Sequence, residues 1–162
     1  MPTYVDMFTP RQLLALLTFT KWVRNSHREI NEVEKEKSQI YVSFLALILS
    51  QMAHYNCTSS LWYKEGMLSV FIEGQAIPMR WDFAEVNPFW SNVGTWKYTL
   101  KQTLNILRNL NNNSSSLRKI DIVRTSATEL PYPDEFFDAI ITDPPYYDNI
   151  SYAALSDFLC LA

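Results

Sequence analysis

Glycine is scarce: Gly66, Gly74 and Gly94 are the only three in 162 residues. No two are close enough to form G-x-G, so Gly-rich phosphate and dinucleotide loops are excluded. An all-β domain stitched by many glycine turns is disfavoured for the same reason. Histidine and cysteine are equally rare, with two of each. His27 and His54 lie far apart with no neighbours at metal-ligand spacing, and Cys57 and Cys160 form no C-x-x-C, so no metal site is expected. The cysteines read as reduced, small apolar residues of a cytoplasmic chain, and the histidines as surface or helix-packing residues. An excess of positive charge is also missing. Fourteen Lys and Arg face 17 Asp and Glu, for a net charge of -3, so the whole chain carries no strongly basic nucleic-acid footprint.

Long apolar runs are absent as well. The most apolar stretch, 40–52, falls short of the ~18 residues of a membrane span and is interrupted by Ser43, Ser50 and Gln51, so it reads as a core helix. The first residues lack the basic-then-apolar order of a signal peptide. What the chain does have is hydrophobic content: 48% apolar and 14% aromatic against 19% charged, enough to exclude disorder of the whole. The length suits about one domain.

Along the chain, Thr9-Pro10 is a helix start, a hydroxyl cap followed by proline at the first helical position. Asn25-Ser26 reads as its stop. Ser26-His27-Arg28-Glu29 has the capping-box pattern, which starts a second helix over 29–54. The charges Glu29, Glu32, Glu34, Lys35, Glu36 and Lys37 fit a solvated helix face. A hairpin is expected over 61–72, turning at Lys64-Glu65-Gly66. Residues 74–94 read as an irregular loop rich in proline and aromatics. A third helix fits 95–110, and Asn111 to Ser116 is a polar linker. The pattern then changes. Residues 120–124 and 137–142 read as short strands separated by a loop, and a final helix is expected from about Ser151. The fold class expected is α/β: a mainly helical region over 1–113, then a partial sheet region over 114–162.

Asp143-Pro144-Pro145-Tyr146 is the motif that carries chemistry. It follows an apolar strand-like run, and in open α/β sheets ligands bind beyond the carboxyl ends of strands. Prolines donate no hydrogen bonds and stiffen the backbone, so the Asp143 carboxylate and the Pro144 carbonyl are held as acceptors. An exocyclic amine offers two N–H donors, which two fixed acceptors orient. Tyr146 supplies a face on which a base stacks.

The tetrapeptide resembles the [D/N/S]-P-P-[Y/F/W] motif of amino methyltransferases that use S-adenosylmethionine. The longer stretch from Ala127 to Tyr152 resembles the large prokaryotic adenine-specific DNA methylases of the DUF1156 type. Phe8-Thr9-Pro10-Arg11-Gln12-Leu13 and Trp81-Asp82-Phe83-Ala84-Glu85-Val86-Asn87-Pro88-Phe89 resemble segments of the same group. The resemblance implies a Rossmann-like methyltransferase sheet, S-adenosylmethionine as cofactor and DNA as partner. It implies catalytic roles for Asp143, Pro144, Pro145 and Tyr146. It places Ser126 near the cofactor, and Tyr147, Asp148, Asn149, Tyr152 and Asn87 near the substrate.

The chain departs from that family in three ways. The F-x-G-G-G-type cofactor loop is missing, Thr125-Ser126 stands where an acidic residue is common, and the later strands of the sheet do not follow. The expectation is therefore a fragment of an adenine-N6 DNA methyltransferase, inactive alone. The alternatives are a non-catalytic remnant, one subunit of a split enzyme, or a piece of an RNA-base methyltransferase. Strands 120–124 and 137–142 are not neighbours in the parent sheet. They are therefore expected to pair with each other in a new sheet, or with another copy or a partner chain supplying the missing strands.

Overall fold

A computed structural model describes residues 3–64, 66–69, 80–113, 120–146 and 152–153. Its elements are a 3-10 turn at Tyr4–Met7, then α1 (Pro10–Val33), α2 (Lys35–Tyr55), β1 (Ser60–Tyr63), β2 (Gly66–Ser69) and α3 (Trp96–Asn113).

The start of α1 follows from its sequence. Thr9 Oγ1 accepts the Gln12 N–H at 3.2 Å, and Gln12 Oε1 accepts the Thr9 N–H at 2.9 Å, a closed capping box ahead of Pro10. The stop expected at Asn25-Ser26 does not occur. Ser26 Oγ donates to the Trp22 carbonyl at 2.9 Å inside a continuous helix, so the hydroxyl bonds back along the helix instead of capping a new one. The break falls at Glu34, which leaves helical geometry with φ -136° and ψ 69°. Glu34 and Glu36 are better placed at the positive N-terminal end of α2 than near the negative C-terminal end of α1.

With one residue between them, α1 and α2 fold back on each other. Thr58, just past α2, donates its N–H to the Met7 carbonyl, just before α1, at 2.8 Å. The core lies at this junction. Leu16 of α1 meets Leu49, Met52 and Ala53 of α2 and Cys57, with Tyr4, Met7, Phe8, Phe19 and Trp96 packed around them. Residues 40–52 thus fall in α2, as a helix that gives its buried face to this core. Burial raises the Cys57 thiol pKa above its ordinary value and lowers that of the His54 imidazole, each by disfavouring the charged form. No described helix is long and apolar enough to cross a membrane.

The hairpin pairs Ser60 with Ser69 through Tyr63 with Gly66, antiparallel. Gly66 therefore belongs to β2 and not to the turn, and Lys64 takes the left-handed conformation there, φ 50°. Residues 70–72 of the expected hairpin lie outside the described residues. Over 80–95 the chain is irregular. It is tied to β1 by the Ala84 N–H donating to the Ser60 carbonyl at 2.9 Å. It is tied to α2 by Asn56, whose buried Nδ2 donates to the Met52 and Gly94 carbonyls at 2.7 and 2.8 Å.

Gly94 has φ +86°, and a Cβ there would lie 2.8 Å from the Tyr55 Cβ. Gly94→Ala combines an unfavourable left-handed backbone with a clash against a helix-borne Cβ. It should destabilise the fold by about 2 kcal/mol or more, read as a lowered midpoint in a urea titration followed by helical circular dichroism.

Thr95 caps α3 by accepting the Tyr98 N–H on its hydroxyl at 3.3 Å. The helix runs on through Asn111 to Asn113, past the expected boundary at residue 110. Adding a residue to a formed helix is far easier than starting one, so weak breakers at its end are absorbed.

Residues 120–146 do not show the expected sheet. They contain no helix and no strand, and the runs 120–124 and 137–142 pair neither with each other nor with any other described segment. Ile122 and Ile141 are 89% and 96% exposed. A strand is stable only when a neighbour accepts its hydrogen bonds and a packed face takes its side chains, and these runs have neither. The structure therefore combines a helical N-terminal part with a single two-stranded hairpin among the described residues. Of the expected last helix, Tyr152 and Ala153 are described, and both are helical.

Candidate functional site

Asp143, Pro144, Pro145 and Tyr146 follow the exposed apolar run and are themselves exposed. They form a shallow cleft of about 310 Å³ together with Tyr152. One hydrogen bond closes it: the Tyr146 N–H donates to the Tyr152 hydroxyl at 3.2 Å. Pro144 and Pro145 have no N–H, so the backbone of this cleft presents carbonyl acceptors up to Tyr146. The Asp143 carboxylate forms no ion pair among the described residues, which leaves its oxygens available as acceptors. Carboxylate, stiff carbonyl edge and two phenol rings in one small cleft can hold a planar donor group.

Of the other residues singled out in the sequence, Ser126 and Asn87 are not brought to this cleft. Tyr147, Asp148 and Asn149 lie outside the described residues. The Ser126 hydroxyl is occupied in a local turn, 2.9 Å from Thr128 Oγ1 and accepting the Thr128 N–H at 3.3 Å. The turn is completed by Thr125 Oγ1 donating to the Glu129 carbonyl at 2.9 Å. Asn87 lines a separate cleft against α1. Its Oδ1 accepts the Phe89 N–H at 3.0 Å, and its carbonyl accepts the Trp90 N–H at 3.1 Å, so it serves as a turn former.

Two features were not legible in the sequence. The first is a ring cluster beside the motif segment. Tyr132 stacks on Phe136 with centroids 5.0 Å apart, and Phe137 meets both edge-on at 4.9 Å. The Tyr132 hydroxyl donates to Asp121 Oδ2 at 2.9 Å, and this bond to a carboxylate raises the phenol pKa. The signal is present as Tyr132, Phe136 and Phe137, but Tyr132 reads as a loop residue and Phe137 as the start of a strand. The second is the meeting of two segments 76 positions apart. Thr9 Oγ1 donates to Glu85 Oε1 at 2.5 Å, and Arg11 pairs with Glu85 at 2.6 Å. Phe8 to Leu13 and Trp81 to Phe89 each stand out in the sequence, but nothing in it places one against the other.

Among the described residues no group of three or more His, Cys, Asp or Glu side chains is placed to hold a metal ion. No protein-family model matches the chain, and neither does any curated protein or solved structure.

Proposed function

We propose that this chain carries the target-amine half of an S-adenosylmethionine-dependent methyltransferase acting on adenine N6 in DNA. The observation that supports the reading is the cleft in which Asp143 and the Pro144 carbonyl edge share space with the rings of Tyr146 and Tyr152. Two acceptors side by side suit the two N–H donors of an exocyclic amine and draw its lone pair outward. The Tyr146 ring, 61% exposed, offers an uncovered face for a base lifted from its stack. When bound, S-adenosylmethionine supplies the electrophilic methyl group.

The described residues do not form a cradle for that cofactor. Ser126 is engaged in its own turn, and no glycine pair allows close backbone approach. We assign cofactor binding to a different segment or chain. The exposed apolar runs at 120–124 and 137–142 favour a split or larger assembly over a non-catalytic remnant. Their backbone groups and side chains gain partners once further strands are added, from another copy or a partner chain.

Calorimetry of the 162-residue chain with S-adenosylmethionine should show no stoichiometric binding in the micromolar range. Tight binding would refute the assignment of the cofactor to another segment. Methyl transfer assayed on DNA and RNA with a reconstituted enzyme decides the substrate: transfer to adenine N6 in DNA is expected, and transfer to RNA alone would replace that reading.

A further inference from the structure

A cleft with a volume of about 620 Å³ lies away from Asp143 to Tyr146, between the first turns of α1 and the segment 85–89. That is within the range of small-molecule sites, roughly 300–1,000 Å³. We propose that it binds a neutral, planar heteroaromatic ring of nucleobase size that presents a hydrogen-bond acceptor to Gln12. The inference does not depend on the methyl-transfer reading.

The walls are aromatic. Phe19, Trp22 and Phe89 line the cleft. Phe19 is held from behind by stacking on Trp96 with centroids 5.1 Å apart, and Phe89 faces it at 6.1 Å. Phe89 and Trp22 remain 80% and 62% exposed, so two large rings stand largely in water with a fixed third ring beside them. A flat guest removes that apolar surface from water and stacks at the same time.

Polarity selects the guest further. Gln12 lines the cleft and is 4% exposed. Its Oε1 is committed to the Thr9 N–H, while its Nε2 is buried with no acceptor. A buried donor without a partner costs about 1–3 kcal/mol, which an acceptor on the guest recovers. Two neighbouring polar groups make no such offer. Asn56 Nδ2 is satisfied by two carbonyls, and the Thr18 hydroxyl donates to the Leu14 carbonyl at 2.7 Å. At the mouth, Arg11 and Glu85 neutralise each other, so neither an anion nor a cation finds an uncompensated charge.

The test uses the full chain and two probes. Adenine is planar, neutral and carries ring-nitrogen acceptors; indole is a similar bicycle without one. Adenine should bind saturably, with Kd about millimolar or tighter, and shift the Gln12 side-chain amide resonances. Indole should bind about tenfold more weakly. Phe89→Ala, an exposed position that folding does not need, should weaken adenine about tenfold. Gln12→Glu keeps the capping acceptor for Thr9 and removes the donor, and should weaken adenine severalfold. If its circular dichroism shows misfolding, Phe89→Ala and the indole comparison carry the decision. Leu47→Ala, an exposed position outside the cleft, should leave adenine binding unchanged. The proposal is overturned by absence of saturable adenine binding, by equal binding of indole, or by an unchanged Kd in Phe89→Ala.

Discussion

In a reconstituted enzyme, Asp143→Ala is expected to lower the single-turnover rate of methyl transfer by about 10²–10³-fold, with cofactor affinity nearly unchanged. The size follows from removing one preorganised polar group aimed at the reacting centre, typically worth that much. The carboxylate is exposed and outside the packed core, so the fold itself should not suffer. Asp143→Asn keeps one carbonyl acceptor in the same place and should retain part of the rate. A rate equal to wild type in Asp143→Ala excludes the proposed role, and a loss confined to cofactor affinity moves Asp143 to the cofactor side. Tyr146→Ala should act differently. Losing the stacking face should chiefly raise KM for the base-containing substrate.

Met52→Ala should destabilise the helical part by about 2–5 kcal/mol, the usual range for emptying a buried site of this size. Met52 is fully buried and lies with Leu16, Leu49, Ala53 and Cys57 where α1, α2 and the segment after α2 converge. That loss is a large share of the roughly 5–15 kcal/mol by which domains are stable, and the variant should melt early or fail to fold. Leu47→Ala is the control on the same helix. Leu47 is 63% exposed, and its truncation should change stability by no more than about 0.5 kcal/mol. Equal effects of the two substitutions would show that the cluster around Met52 is not the core.

The start of α1 was legible because capping is local: Thr9, Pro10 and Gln12 satisfy the first backbone N–H groups among themselves. The apolar stretch 40–52 was legible as a core helix for a similar reason, since a packed helix shows its buried side in its own sequence. The end of α1 was not. Ser26 can cap a new helix or bond back within an existing one, and the choice depends on how α1 lies against α2. The Asp143 to Tyr146 motif was legible as a stiff acceptor edge, because proline's missing N–H is a property of the residue alone.

The strands at 120–124 and 137–142 show the opposite case. β-branched, apolar composition states what a segment suits, but strand formation requires a second segment at hydrogen-bonding distance, and none of the described residues supplies it. By itself, then, the sequence determined the features that close within a few residues: the Thr9 cap, the apolar side of α2, the hairpin around Lys64 and the acceptor edge of the motif. The tertiary structure alone decided what spans distance. It joined Thr9 and Arg11 to Glu85 and left Asn87 in a cleft away from Asp143. It also left Gln12 Nε2 without an acceptor. Local hydrogen bonds are set by residue type and spacing, whereas contacts between remote segments depend on which faces pack, and composition carries no record of that.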